Sequence, residues 1–280
     1  MYLVCFIDLL GQKEMYKSIE KPPETGEPVP IEFQENVAAF IGSIEFLKEN
    51  VESYFSGFDN FESTRNWPPE LADFRRKMNN HICKVQRFSD GLILYVPLNE
   101  TDDLMPIGSV YRAFGTAAMA TLNCIARGTP VRSGIAIGGA TEIGDCELFG
   151  PAIAMAHEME SKVSQFPRIT VHPDVVDYIV AHAKVENDGT PEAAYKQVIG
   201  RSCSGMIARD IDGAHIVHYL GDELWGGMFR ETADDVLRKA KSFVEKSLAN
   251  YQEQGNSKLA IRYLLLNDYL EQHAPINFSA

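Results

Sequence analysis

The sequence predicts an α+β fold in which helices pack on a largely antiparallel central sheet. Three observations carry that prediction. Strand-length apolar runs recur along the 280 residues. Helical-period stretches separate them in a mixed order instead of strict alternation. Two pairs of runs meet at short turn signals, Ser89-Asp90-Gly91 and Asp212-Gly213, of the kind that join antiparallel neighbours.

Tyr2 to Ile7 is apolar, β-branched and aromatic enough for a buried first strand. A short helix is expected through Ile19, followed by the loop KPPETGEPVP. The next stretch, IEFQENVAAFIGSIEFLKENVESYF, repeats apolar residues at helical spacing. Asn66-Trp67-Pro68-Pro69 breaks it, and a shorter helix is expected from Glu70 to Asn79. HICKVQRFS and GLILYVP read as a hairpin, and Asp103 to Arg127 as a helix. TPVRSGIAIGGATEIGDCELFG reads as two strands, Pro151 to Ser164 as a helix, RITVH as a strand and Pro173 to Ala183 as a helix. YKQVIGRSCSGMIARDIDGAHIVHYLG reads as a strand pair, and two helices close the chain, Glu231 to Tyr251 and Ser257 to Gln272. No linker divides residues 1–280, so they are read as a single domain with a helical insert at about 31–80 and C-terminal helices at about 231–272.

Composition narrows the function. A net charge of −13 argues against nucleic acid, whose phosphate backbone calls for a basic face. No apolar run approaches the ~20 residues of a membrane span. MYLVCFIDLL lacks the basic flank and cleavage site of a signal peptide. Five scattered cysteines (Cys5, Cys83, Cys124, Cys146, Cys203) without a CxxC pair fit neither a disulfide scaffold nor a zinc site. The cytoplasm is the expected compartment.

Two carboxylates stand out. Asp8 closes the first strand and Asp90 interrupts a second apolar segment. If adjacent strands bring them together, their repulsion is about 1–4 kcal/mol, which a divalent ion with oxygen ligands, Mg²⁺ or Mn²⁺, converts into attraction. Asp8 as a helix cap and Asp90 as an ordinary turn residue are equally open at this level. The string Arg209-Asp210-Ile211-Asp212-Gly213 could pass for a second metal motif, but a β-turn fits it better.

ELFGPAIAMAHEMES resembles the strand-turn-helix of the class III nucleotidyl cyclases. FIDLLG resembles their first metal-bearing strand, VQRFSDGLILYV their hairpin with the second metal aspartate, and PVRSGIAIGG and FPRITVHPDVVDYI the segments around the base-reading strand. The matches fall in the family's order across residues 1–10 and 81–220. FIDLLGQ, FSDG and the HEMES…PRI spacing are most similar to the bacterial pyrimidine cyclases of Pycsar antiphage defence.

The resemblance implies a ferredoxin-like sandwich that forms a 3′,5′-cyclic nucleotide and pyrophosphate, with UTP favoured as substrate and CTP next. It implies two divalent ions on Asp8, Asp90 and the Leu9 backbone carbonyl. Gly11, Gln12, Arg132 and Arg209 would bind the triphosphate, and Gln86 and Glu147 would read the base. A homodimer with active sites at its interface follows from the family, as does a separate effector protein responding to the product. His157 is read as a surface helix residue. Two departures stand out: Ala154 and Glu158 occupy positions where purine cyclases carry an Asn and an Arg. A guanylate cyclase and a non-catalytic nucleotide sensor are the alternatives.

Overall fold

The computed structural model describes residues 1–11, 17, 19, 28–62, 68–144, 147–228 and 233–274. Seven strands form one sheet in the order β2-β3-β1-β4-β7-β9-β8. They are β1 (Tyr2–Leu9), β2 (Lys84–Phe88), β3 (Gly91–Pro97), β4 (Val131–Gly138), β7 (Ile169–Val171), β8 (Ile207–Arg209) and β9 (His215–Val217). Only the β4–β7 pair is parallel. A separate ribbon pairs β5 (Thr141–Ile143) with β6 (Glu147–Phe149). The fold is therefore α+β with a mostly antiparallel sheet, as the mixed element order predicts.

Strand alternation sorts β1 into two faces. Leu3, Cys5, Ile7 and Leu9 join the main core with Leu92, Leu94 and Val96 of β3. Over this face lie α1 (Ile31–Glu62), α2 (Pro69–Lys77), α3 (Pro106–Arg127), α8 (Ala233–Glu253) and α9 (Ser257–His273). The helical insert thus belongs to the main core. Leu47, Val51 and Phe55 of α1 are buried in it, the Phe58 ring meets Tyr111 of α3 edge-on at 5.3 Å, and Asn123 donates to the Tyr54 hydroxyl at 2.7 Å.

The other face carries Val4, Phe6 and Asp8, and its core is small. Val4, Phe6, Ile93, Tyr95 and Ala136 pack under Leu148 and under Ala152 and Ala156 of α4 (Pro151–Glu158). Helix α4 sits very low on the sheet. A Cβ on Gly134 would collide with the Ala156 carbonyl and the Glu160 amide, so only glycine admits the helix at this height.

From Met159 to Val163 the helix widens into a π turn. The Met159 carbonyl explains why: it accepts from Ser164 N–H, five residues on, at 2.9 Å and from the Thr170 hydroxyl of β7 at 3.1 Å. The helix expected to Ser164 therefore runs its last turn in π form, pinned to the sheet. Single π turns inside helices are often found at functional sites.

One expected element is corrected. Residues 195–205, read as strand, are the body of helix α6 (Pro191–Gly205), and the strand pair is only β8 and β9. Thr190 caps the helix through its hydroxyl, which accepts from Ala193 N–H at 3.2 Å, and Pro191 stands at the first helical position. Tyr195, Ile199 and Cys203, spaced four apart, make its buried stripe. Residues 129–150, read as two strands, hold three: β4, β5 and β6. Helix α5 (Pro173–Ala183) has the expected bounds, and a short helix α7 (Asp222–Met228) precedes α8. The short helix expected after β1 falls largely outside the described residues.

Substituting Gly134→Ala is expected to cost about 1–3 kcal/mol by forcing α4 and the π turn off the sheet. A lowered urea midpoint with an unchanged transition slope is the measurement that checks it.

Candidate active site

Asp8 stands on β1 between Gly91 of β3 and Arg132 of β4. It is a strand residue, because β1 continues through Leu9, and this rules out the helix-cap reading. Asp90 occupies the two-residue turn Ser89-Asp90 that links Phe88 to Gly91. Ser89 takes a left-handed φ of 52°, and a Cβ on Gly91 would strike the Ile7 carbonyl, so this turn lies tight against β1. Leu9 N–H donates to the Asp90 carbonyl at 3.2 Å. Two aspartates 82 residues apart in the chain (90 − 8) are thus next to each other at the end of β1, both half-buried.

Arg132 holds Asp8. Its Nη2 and Nε donate to Asp8 Oδ2 at 3.1 and 3.3 Å. Its Nε also lies against Glu160 Oε1, which descends from the π turn. The Glu160 side chain is only 2 % exposed, against 19 % for Asp8 and 20 % for Arg132. Two carboxylates therefore compete for one guanidinium, and the more deeply buried of them hangs from the rigid turn that Gly134 lets onto the sheet.

The electrostatics follow from that crowding. Burial raises the Asp8 carboxyl above its ordinary range, Arg132 pulls it back, and the charge of Asp90 raises it further. Burial pushes Glu160 up to about 7, with Arg132 opposing and Asp8 adding to the rise. His157 Nε2 stands 3.9 Å from Glu160 Oε2, and its ring meets Phe6 edge-on at 5.0 Å, with the side chain 57 % exposed.

Gln86 lies on the same face as Asp8, since Gln86 pairs with Ile93 and Ile93 with Phe6. Its Oε1 accepts from Leu148 N–H at 2.9 Å, which brings it beside the exposed Glu147 on β6. Next to them Lys84 pairs with Glu142, and the Tyr95 hydroxyl donates to Glu142 at 3.3 Å. Two strand spacings and two residues separate Gln86 from Asp8, roughly 10 Å across the sheet and 7 Å along it.

Gly11 follows in the turn after β1 with φ +85°, and Leu10 N–H is held by the Pro130 carbonyl at 2.9 Å. Gln12 lies outside the described residues. Arg209 stands apart, on β8 at the far edge of the sheet, where it donates to the Gly213 carbonyl at 3.4 Å. Four strand spacings put it ~19 Å from β1. The neighbouring aspartates are ion-pair partners: Arg168 binds Asp210 at 2.5 Å and Asp212 at 2.6 Å, and Gly213 N–H closes a turn onto the Asp210 carbonyl. The β-turn reading of that string is correct.

Glu160 is the site residue that sequence reasoning passed over. Its signal was the MES of HEMES, noted only as a motif, because nothing in the spacing shows that Glu160 and Arg132 converge. Glu158, in contrast, points away to Lys162 at 2.6 Å and is exposed.

Compared with protein-family models and with curated proteins, the chain matches none. No helix among the described residues is long and apolar enough to cross a membrane.

Because the Glu160 carboxyl titrates higher folded than unfolded, the folded chain holds a proton that the unfolded chain releases near the ordinary glutamate pKa. That stabilisation is complete in mild acid and is lost as pH rises through about 7. Glu160→Gln should therefore gain stability relative to the natural chain between pH 5 and 8. Urea midpoints taken across that range without divalent ions are the check.

Proposed function

We propose that this chain is a metal-dependent nucleotidyl cyclase of class III type. It closes a pyrimidine nucleoside triphosphate, UTP before CTP, to the 3′,5′-cyclic nucleotide. The observation that carries the reading is the meeting of Asp8 and Asp90 at the end of β1, with Arg132 against Asp8. The split order β2-β3-β1-β4 around α1–α3 supports it, being the ferredoxin-like arrangement that the resemblance implies.

The donor set suits Mg²⁺ or Mn²⁺. Asp8, Asp90 and the Leu9 carbonyl offer oxygen only, and the charge of Asp90 already opposes the ionisation of Asp8, a strain that divalent ions relieve. Among the described residues no group of three or more His, Cys, Asp or Glu side chains is placed to hold a metal. Mg²⁺ bound through one or two carboxylates and the substrate's own phosphates needs no such cage. Bound there, such ions would lower the pKa of the ribose 3′-hydroxyl and neutralise the triphosphate.

The 3′-oxygen attacks the α-phosphorus, the bond between the α-phosphorus and its bridging oxygen breaks, pyrophosphate leaves, and the hydroxyl proton passes to solvent. Positioning carries most of the rate in such a reaction. Arg132 supplies the cation for the phosphates, and Gly11, in the turn after β1, offers its backbone N–H. Gln86 offers a donor and an acceptor to a pyrimidine edge, and Glu147 accepts from N3–H or an exocyclic amine.

The resemblance implies a site shared between two chains, and within one chain Arg209 lies ~19 Å from β1, beyond the reach of its side chain to Asp8. A head-to-tail homodimer brings one copy's readers, and its Arg209, over the other copy's carboxylates. Phe88, Ile143 and Phe149, each about half exposed, border Gln86 and Glu147 and would be covered in it. The compartment is the cytoplasm, the setting antiphage defence, and the responding effector a separate protein.

Guanylate cyclase is the second reading, because Glu147 also suits the N1–H/N2–H₂ edge of guanine. A nucleotide sensor without turnover is the third. Ala154 and the outward Glu158 favour it, since loss of a charge-stabilising donor costs ~10²–10³ in rate.

Incubating the chain with Mn²⁺ and each of the four nucleoside triphosphates separates these readings: cUMP is the expected main product, cGMP identifies the second, and binding without pyrophosphate the third. Asp8→Ala should abolish cyclic product while the dimer persists in sedimentation. Undiminished product from that variant removes the metal assignment.

A further inference from the structure

We propose that Glu160 is a positioning residue for Arg132, one that keeps the guanidinium in place once divalent ions have claimed Asp8. The inference rests on the nucleotidyl cyclase reading above. It starts from an asymmetry between the two carboxylates that share Arg132. Asp8 is 19 % exposed and stands next to Asp90, and any ion bound by that pair competes directly with the Asp8–Arg132 bonds at 3.1 and 3.3 Å. Glu160 is almost wholly enclosed and hangs from a turn pinned by Thr170 and seated against Gly134. It can neither follow the ions nor retreat to water.

The geometry then decides what Arg132 does. Glu160 Oε1 is ion-paired with Nε, the inner nitrogen of the fork, while the single Nε–H is donated to Asp8 Oδ2 at 3.3 Å, so Glu160 takes up that hydrogen bond only when Asp8 lets go. A guanidinium held at Nε still has both terminal nitrogens, and their four N–H groups, to present to phosphate oxygens. Release from Asp8 frees both nitrogens that Asp8 now occupies, Nη2 for phosphate and Nε for Glu160. A free arginine on a strand loses rotamer freedom when it binds phosphate, whereas one already held loses less, and the saving appears as affinity. A Glu160 that has taken up a proton still offers Nε its carbonyl oxygen, so the role does not depend on which form is present.

The test uses 3′-deoxy-UTP, which lacks the attacking hydroxyl, with Mn²⁺ in titration calorimetry, so that binding is read without turnover. Glu160→Met removes the acceptor at similar length and should weaken binding about tenfold. Arg132→Met should weaken it at least as much, and the double variant should bind no more weakly than Arg132→Met alone, because one residue acts through the other. Glu160→Gln keeps an acceptor oxygen and should restore affinity to within about threefold of the natural chain.

Natural affinity in Glu160→Met, or a loss that adds in full to that of Arg132→Met, overturns the proposal. Should Glu160→Met give no cooperative melt, Glu160→Asp, which retracts the carboxylate by one methylene, takes its place, and natural affinity there overturns it equally. If the natural chain binds none of the four triphosphates, the cyclase reading fails and takes this inference with it. Binding by the natural chain with no effect of Glu160 sinks the inference alone.

Discussion

The pairing of Asp8 with Arg132 under Glu160 is the constraint on which the site depends. A carboxylate at the end of a buried strand costs several kcal/mol unless a partner compensates it. Arg132, directly opposite on β4, is that partner, and Glu160 fixes where its guanidinium lies. Each member has a backbone precondition. Gly134 lets the π turn down to the level of Arg132, and Gly91 lets the Asp90 turn lie against β1. The result is three acidic groups and one guanidinium in a small space, a net negative pocket on a chain that is already strongly acidic. Such a pocket binds a polyphosphate only if cations come with it.

The two faces of the sheet divide the labour. One is sealed by α1, α3 and the C-terminal helices, and it holds most of the core. Among the described residues the other has one short helix over a few apolar side chains, and Asp8, Asp90 and Gln86 are half-buried there and Phe88 exposed. The main core and the cluster of charged side chains thereby lie on opposite sides of the same strands, residue by residue along β1. The helical insert stands behind the sheet as part of the scaffold, because its apolar stripe is consumed by α3 and the main core, and this puts it on the face opposite Gln86.

Much of this was legible. The hairpin at Ser89-Asp90-Gly91, the helices at Ile31, Pro106 and Pro173, and the buried first strand follow from periodicity and turn chemistry, which are local signals. Residues 195–205 show how local reading fails: Val198, Ile199 and the Gly-Met-Ile that follows suggest strand, yet Thr190-Pro191 starts a helix and the stripe Tyr195, Ile199, Cys203 has a helical period. The cap was there to be read, and β-branched content outweighed it. At the site, Asp8, Asp90 and Arg132 were singled out and do converge, and so do Gln86 and Glu147, as a second and separate cluster.

By itself, then, the sequence determined the class of fold, the acidic surface, and the two aspartates whose positions made no sense alone. Strand and turn preferences act over a few residues, and so a few residues suffice to see them. Only the tertiary structure decided that Glu160 belongs with Arg132, that Arg209 lies four strands from Asp8, and that the insert is buried behind the strands. Those facts depend on strand order and on how closely a helix approaches a sheet, and such distances between remote segments are not encoded in any short stretch of chain.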